Sequence, residues 1–155
     1  MRFVVLAALA VLVSASPLTA QPGSSATDPA KMTPLTGNWT YSVRPGETEA
    51  DFIGPDSRAQ LALKCARASR QVWISKMSAG PVTQLSVWTS EMSRNVSAIF
   101  NPSTGQVTAL LNAYDPLLDA LALSRARIAI GAPGAPPLVL PASGEVTRII
   151  EDCRA

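Results

Sequence analysis

The chain has 155 residues, a formal net charge of +2, two cysteines and no histidine. Without histidine there is no Ser-His-Asp triad, no Cys-His dyad and no His-ligated zinc, and two cysteines are too few for a four-thiolate metal site or an iron–sulfur cluster. The near-neutral balance lacks the strong basic excess of a dedicated nucleic-acid binder.

The N-terminus reads as a secretory signal peptide over residues 1–20. Arg2 is a minimal positive region, and Phe3 to Val13 is an apolar run of eleven residues. That run is too short to span a bilayer and has no polar face, as a core helix would. The small, helix-breaking stretch Ser14 to Ala20 follows, with cleavage expected after Ala20 and Ala15 as the alternative. No cysteine lies near the cleavage point, so no lipoprotein anchor is expected, and no second long apolar run follows, so no transmembrane segment is expected in the mature chain. Without the leader, 12 basic and 11 acidic groups remain. Residues 21–36, rich in Pro, Ser, Thr and Gly, read as a flexible tether, and residues 37–155 as a single globular domain. In an oxidising compartment the only two thiols, Cys65 and Cys153, are expected to pair as a disulfide; two separate buried thiols are the alternative.

Within the domain, short strands with turn signals between them come first. In 38–43, Trp39, Tyr41 and Val43 alternate with polar residues, and Arg44-Pro45-Gly46 ends the run. Glu47, Glu49 and Asp51 then read as a solvated loop with weak cation binding as the minor alternative. Leu61, Leu63 and Cys65 share a face in 59–65, as do Val72 and Ile74 in 71–77, and Leu85 and Val87 in 82–89. A strand over 95–100 ends at the turn cluster 101–105, and Val107, Ala109 and Leu111 are in phase over 106–111. Asp115 followed by Pro116 is a helix start, and Leu117, Leu118, Leu121 and Ala122 recur at helical spacing. Strands over 125–130 and 138–140 flank the loop 131–137. Ser143 is placed to cap a last helix, with Glu145 near its positive end. There Val146, Ile149, Ile150 and Cys153 repeat at i, i+3, i+4 and i+7, so Cys153 faces the core. The expected fold is mainly antiparallel β, a small sandwich or partly open barrel, with one short internal helix and a C-terminal helix stapled through Cys65 and Cys153.

The segments LALKC at 61–65, VWTS at 87–90, DPLLDALALS at 115–124 and RIIEDC at 148–153 together resemble small exported bacterial envelope proteins of accessory role. The invasion-associated-locus-B type and the periplasmic accessory proteins of type VI secretion are of this kind. The resemblance spans about residues 37–153 and is one of pattern. It implies a small sandwich with one cysteine near a strand end and one near the C-terminus, and an accessory role in the envelope. It carries over no catalytic residue.

Serine chemistry lacks its motifs: there is no G-x-S-x-G and no S-x-x-K, and Ser75 beside Lys76 points to the opposite face of a strand. Asp115 and Asp119 read as a helix cap and a first-turn acid, and Glu151 and Asp152 as acids offset by Arg148 and Arg154. No metal or cofactor is expected. Asn38 and Asn95 head N-glycosylation sequences that matter only in a eukaryotic secretory pathway.

Lys64, Arg67 and Arg70 cluster around the turn after Cys65, with Lys76 one strand on. They read either as a patch for an anionic partner or as protection of a sheet edge. Trp73 and Trp88 are out of phase with their aliphatic neighbours. Either both stand on the outer face, where they stack on a sugar or clamp a peptide, or a helix covers them. The sequence thus reads as a non-catalytic periplasmic or secreted module that binds a protein or envelope component, with Trp73, Trp88, Lys64, Arg67, Arg70 and Lys76 as its candidate surface. The alternative is a structural accessory protein of the envelope without a small ligand; a hydrolase is the weakest reading.

Overall fold

The computed structural model describes residues 28–155. The expected signal peptide and the first residues of the expected tether, through residue 27, lie outside this range. Nine strands form one antiparallel sheet: β1 (Asn38–Arg44), β2 (Glu47–Ile53), β3 (Ala59–Ala66), β4 (Gln71–Met77), β5 (Gln84–Trp88), β6 (Ser93–Asn101), β7 (Gln106–Asn112), β8 (Arg127–Gly131) and β9 (Leu138–Pro141). Their order is β1-β2-β3-β4-β7-β6-β5-β8-β9. Helix α1 (Pro116–Ala122) lies between β7 and β8, and α2 (Gly144–Arg154) ends the chain. The sheet is curled into a half-barrel. The bend falls on β6, whose first half pairs with β5 through Ser97 and whose second half pairs with β7 from Ala98.

The local causes are those the sequence carries. Pro45 and Gly46 make the two-residue turn between β1 and β2, with Gly46 at φ +78°, a conformation glycine adopts at little cost. The Asp115 carboxylate accepts the Leu117 amide at 2.9 Å and so caps α1, with Pro116 as its first residue. Ser143 caps α2 by accepting the Glu145 amide.

Inward side chains of the strands and the apolar faces of both helices meet in one core. Leu61, Leu63, Ile74, Leu85, Ile128 and Leu140 are fully buried there against Leu117, Leu118, Ile149 and Ile150. Each such side chain contributes roughly 1.5–3 kcal/mol by leaving water. Helix α2 packs against the strands from β1 to β4. Cys65 on β3 and Cys153 on α2 form the expected disulfide, with Cα atoms 5.5 Å apart and a sequence separation of 88. Trp39 closes the open side: its indole N–H donates to the Pro141 carbonyl on β9 at 2.9 Å, and its ring meets Phe52 edge-on at 5.4 Å. Tyr41 donates to Asp152 of α2 at 2.6 Å, while Arg148 stacks on its ring at 4.0 Å.

Three expectations are corrected. Residues 47–53 are a strand and not a solvated loop. Thr48, Ala50 and Phe52 point inward and are buried, while Glu47, Glu49 and Asp51 point outward. Two of these acids are taken up by cations, Glu47 by Lys64 at 2.9 Å and Glu49 by Arg44 at 3.4 Å, while Asp51 has no ion-pair partner among the described residues. Among the described residues no group of acids, cysteines or histidines is arranged to hold a metal. Val43, in phase with Trp39 and Tyr41, is 59% exposed on edge strand β1, although its cross-strand partner Thr48 is buried. Residues 28–36, read as the end of a tether, dock on the domain. Arg127 donates to the carbonyls of Ala30 (2.9 Å) and Met32 (2.6 Å), the Leu35 amide donates to Val139 at 2.8 Å, and Leu35 packs on the core.

Candidate functional site

The outer face of the sheet is the complement of the core pattern. On β3, β4 and β7 the residues between the buried ones face outward, and the strand register aligns them in rows. One row runs Glu49, Lys64, Trp73, Leu110; the next runs Asp51, Ala62, Ser75, Thr108, Ile99. Where the rows meet lies a groove of about 270 Å³ lined by Glu49, Ala62, Lys64, Trp73, Ser75, Asn101, Gln106 and Thr108. Its floor is the hydrogen bond between the Ser75 and Thr108 hydroxyls, 2.8 Å long. Trp73 forms one wall and is 41% exposed. The Asn101 and Gln106 side chains bring two amides to the same space. Asn101 uses its carbonyl oxygen to accept the Ser103 amide at 2.9 Å, and the Gln106 side chain makes no hydrogen bond among the described residues.

Both charges at the groove are matched within the protein. Lys64 is held by Glu47, and Glu49 by Arg44. Asp51, one row further on, is pushed up by burial and by the neighbouring Glu49 carboxylate.

The six residues read from the sequence as one surface fall in four places. Lys64 and Trp73 are direct cross-strand partners at the groove. Trp88 is outward on β5, as its phase requires, but β7 and β6 stand between β4 and β5. The two indoles are therefore three strand spacings apart, at about 4.8 Å each, and are not a pair. Arg67 and Arg70 belong to the short 3-10 turn after β3, at the end of the sheet beside α2. Arg70 takes a left-handed conformation, φ +50°, and donates to the Tyr114 hydroxyl at 2.9 Å. Arg154 stacks on Tyr114 from another side and pairs with Asp119 at 2.7 Å. Lys76 is paired with Leu61 and Val107, both core residues, so it faces the inner side of the sheet and not Trp73. Burial there lowers its ammonium below the ordinary lysine range. The expected basic cluster is thus dispersed, with Lys64 ion-paired and Arg70 engaged by an aromatic ring.

Sequence reasoning missed Ser75, Thr108, Asn101 and Gln106. Their outward phase was available, but their meeting depends on β7 pairing with β4, and thirty residues including a whole hairpin separate Ser75 from the β7 start at Gln106. Comparison with protein-family models, curated proteins and solved structures finds no match to the chain. Among the described residues no helix is long and apolar enough to cross a membrane.

Proposed function

We propose that this chain is a non-catalytic, exported binding module that takes an envelope component on the outer face of β3, β4 and β7. The observation that carries the reading is Trp73, a large amphipathic side chain left 41% exposed at the wall of a groove, beside the exposed Leu110 and Ile99. Tyrosine and tryptophan with one apolar and one polar side are favoured anchors of binding surfaces. The Cys65–Cys153 bridge suits an oxidising compartment. The pattern of LALKC and RIIEDC, similar to small envelope accessory proteins, agrees with that placement.

The test is retention of the purified mature chain on isolated bacterial envelope. Trp73→Ala is expected to reduce retention at least tenfold, and Arg67→Glu to leave it within twofold. Retention of Trp73→Ala equal to that of the unaltered chain would overturn the reading.

A further inference from the structure

We propose that the groove at Trp73 takes a neutral glycan strand, seating one sugar ring of the polymer; this rests on the binding-module reading above. A sugar ring is amphipathic. Its C–H face is apolar and its rim carries hydroxyls that both donate and accept. A site for it therefore needs one aromatic platform and several uncharged polar groups of mixed donor and acceptor character.

The groove supplies that combination. Trp73 provides the aromatic surface. The Ser75 and Thr108 hydroxyls share only one hydrogen between them, so the pair keeps a further donor and free lone pairs facing outward. Gln106 offers an entire amide with no partner among the described residues, and Asn101 keeps its NH2 free while its oxygen secures the turn at Ser103. The volume, about 270 Å³, falls just under the range of roughly 300–1,000 Å³ for drug-sized ligands. It has room for a single ring. Leu110 and Ile99, 49% and 79% exposed, continue outward from Trp73 and Thr108 along the sheet. They offer apolar contact to the C–H groups or acetyl methyls of neighbouring rings.

Charge decides for a neutral polymer. An anionic ligand is favoured by a cation free of an internal partner. The groove's only cation, Lys64, lies 2.9 Å from Glu47, and Glu49 of the groove is bridged to Arg44. Neither sign is left uncompensated.

The experiment titrates the mature chain with cello-hexaose and chito-hexaose, following tryptophan fluorescence and confirming by calorimetry. A saturable change with at least one hexamer is expected, persisting at high salt. Trp73→Ala should weaken binding at least tenfold, Trp73→Phe should restore most of it, Gln106→Ala should weaken it about threefold, and Trp88→Ala should leave it unchanged. Circular dichroism checks that each variant is folded. Absence of binding to both hexamers at millimolar concentration, or equal binding by Trp73→Ala, overturns the glycan inference. Protease treatment of the envelope separates that failure from failure of the module reading. If Trp73-dependent retention persists on untreated envelope but vanishes after proteolysis, the occupant is a protein: the glycan falls and the module stands. If Trp73→Ala is retained like the unaltered chain, both fall.

Discussion

The outer face of the sheet has two halves that obey the same alternation and end differently. Over β8 and β9 the outward residues are Arg127, Ala129, Gly131 and Val139, the last three buried. Ala129 and Val139 nevertheless do not belong to the inner core. Gly131 lies against Ser86 and Pro137, and the N-terminal segment approaches β8. Residues 28–36 lie on this half, held by Arg127 and by the Leu35 amide. Over β3, β4 and β7 the outward residues are Lys64, Trp73, Leu110 and Thr108, and nothing among the described residues covers them. Arg127 holds the N-terminal segment by hydrogen bonds, whereas Lys64 and Trp73 meet no such segment among the described residues. What separates the two halves is therefore a specific clasp, Arg127 and the Leu35 amide holding residues 28–36, and not the size of the outward side chains.

The strongest way to break this contrast is to remove what stiffens the open half from behind. Helix α2 packs on β1 through β4 and is tied to β3 by Cys65–Cys153, directly under the strands that carry the groove. Replacing both cysteines by alanine frees a loop of 88 residues in the unfolded chain. Chain entropy then predicts a loss of about 4–5 kcal/mol, measured by denaturant unfolding. If the disulfide supports the open half in particular, hydrogen exchange in the double variant should rise more in β3 and β4 than in β8 and β9. Equal loss of protection across the sheet would show that the two halves are supported alike.

Next in size is the clasp of the covered half. Arg127 gives two hydrogen bonds to the carbonyls of Ala30 and Met32, from a side chain that stands on the outer face beside Ala129. Charged donors to neutral acceptors contribute more than neutral ones, and Arg127→Ala is expected to cost about 2 kcal/mol after allowance for its partial exposure. The accompanying signature is local. Proteolysis near residues 28–36 should accelerate, and β8 should lose exchange protection, while the groove residues keep theirs. If Arg127→Ala leaves cleavage near residues 28–36 unchanged, that segment is not what closes this half.

How much of this was legible in the sequence depends on whether a feature is local. The caps Asp115 and Ser143, the inward phase of Leu61-Leu63-Cys65, and the helical repeat ending at Cys153 are each fixed within a few residues, and each is found as read. The disulfide is read from an expected oxidising compartment and a chain with only two cysteines, and both inward phases agree with it. Strand β2 was hidden because its inward residues include Thr48 and Ala50, too weakly apolar to stand out between Glu47, Glu49 and Asp51. Thr48 is even buried with a hydroxyl that finds no partner. A pattern based on hydrophobicity passes over such a strand, although burial treats it as core. The site was half legible for the opposite reason. The outward phase of Trp73 and Trp88 is local and correct, whereas their separation comes from β7 returning to β4 past the β5–β6 hairpin. No spacing along the chain carries that information. The docking of residues 28–36 was illegible as well, since Leu35 is one apolar residue in a stretch with the composition of a linker.

The smallest effect is the most discriminating, because it sets the two indoles against each other on the same scale. Trp88 is half-buried on the covered half, across from Ala129, which is 1% exposed, whereas Trp73 is 41% exposed on the open half. A fully buried tryptophan truncated to alanine costs about 3–5 kcal/mol. Scaled by their burial, Trp73→Ala is expected to cost about 2–3 kcal/mol and Trp88→Ala about 1 kcal/mol more. Ligand retention should show the reverse order, lost with Trp73 and kept with Trp88. Denaturant midpoints measured beside retention place each variant on two axes. A position where stability falls and binding survives belongs to the fold. One where stability falls less and binding collapses belongs to the partner. Should Trp73→Ala prove the more destabilising of the two, its indole is serving the packing of β3, β4 and β7, and the open half is open in exposure only.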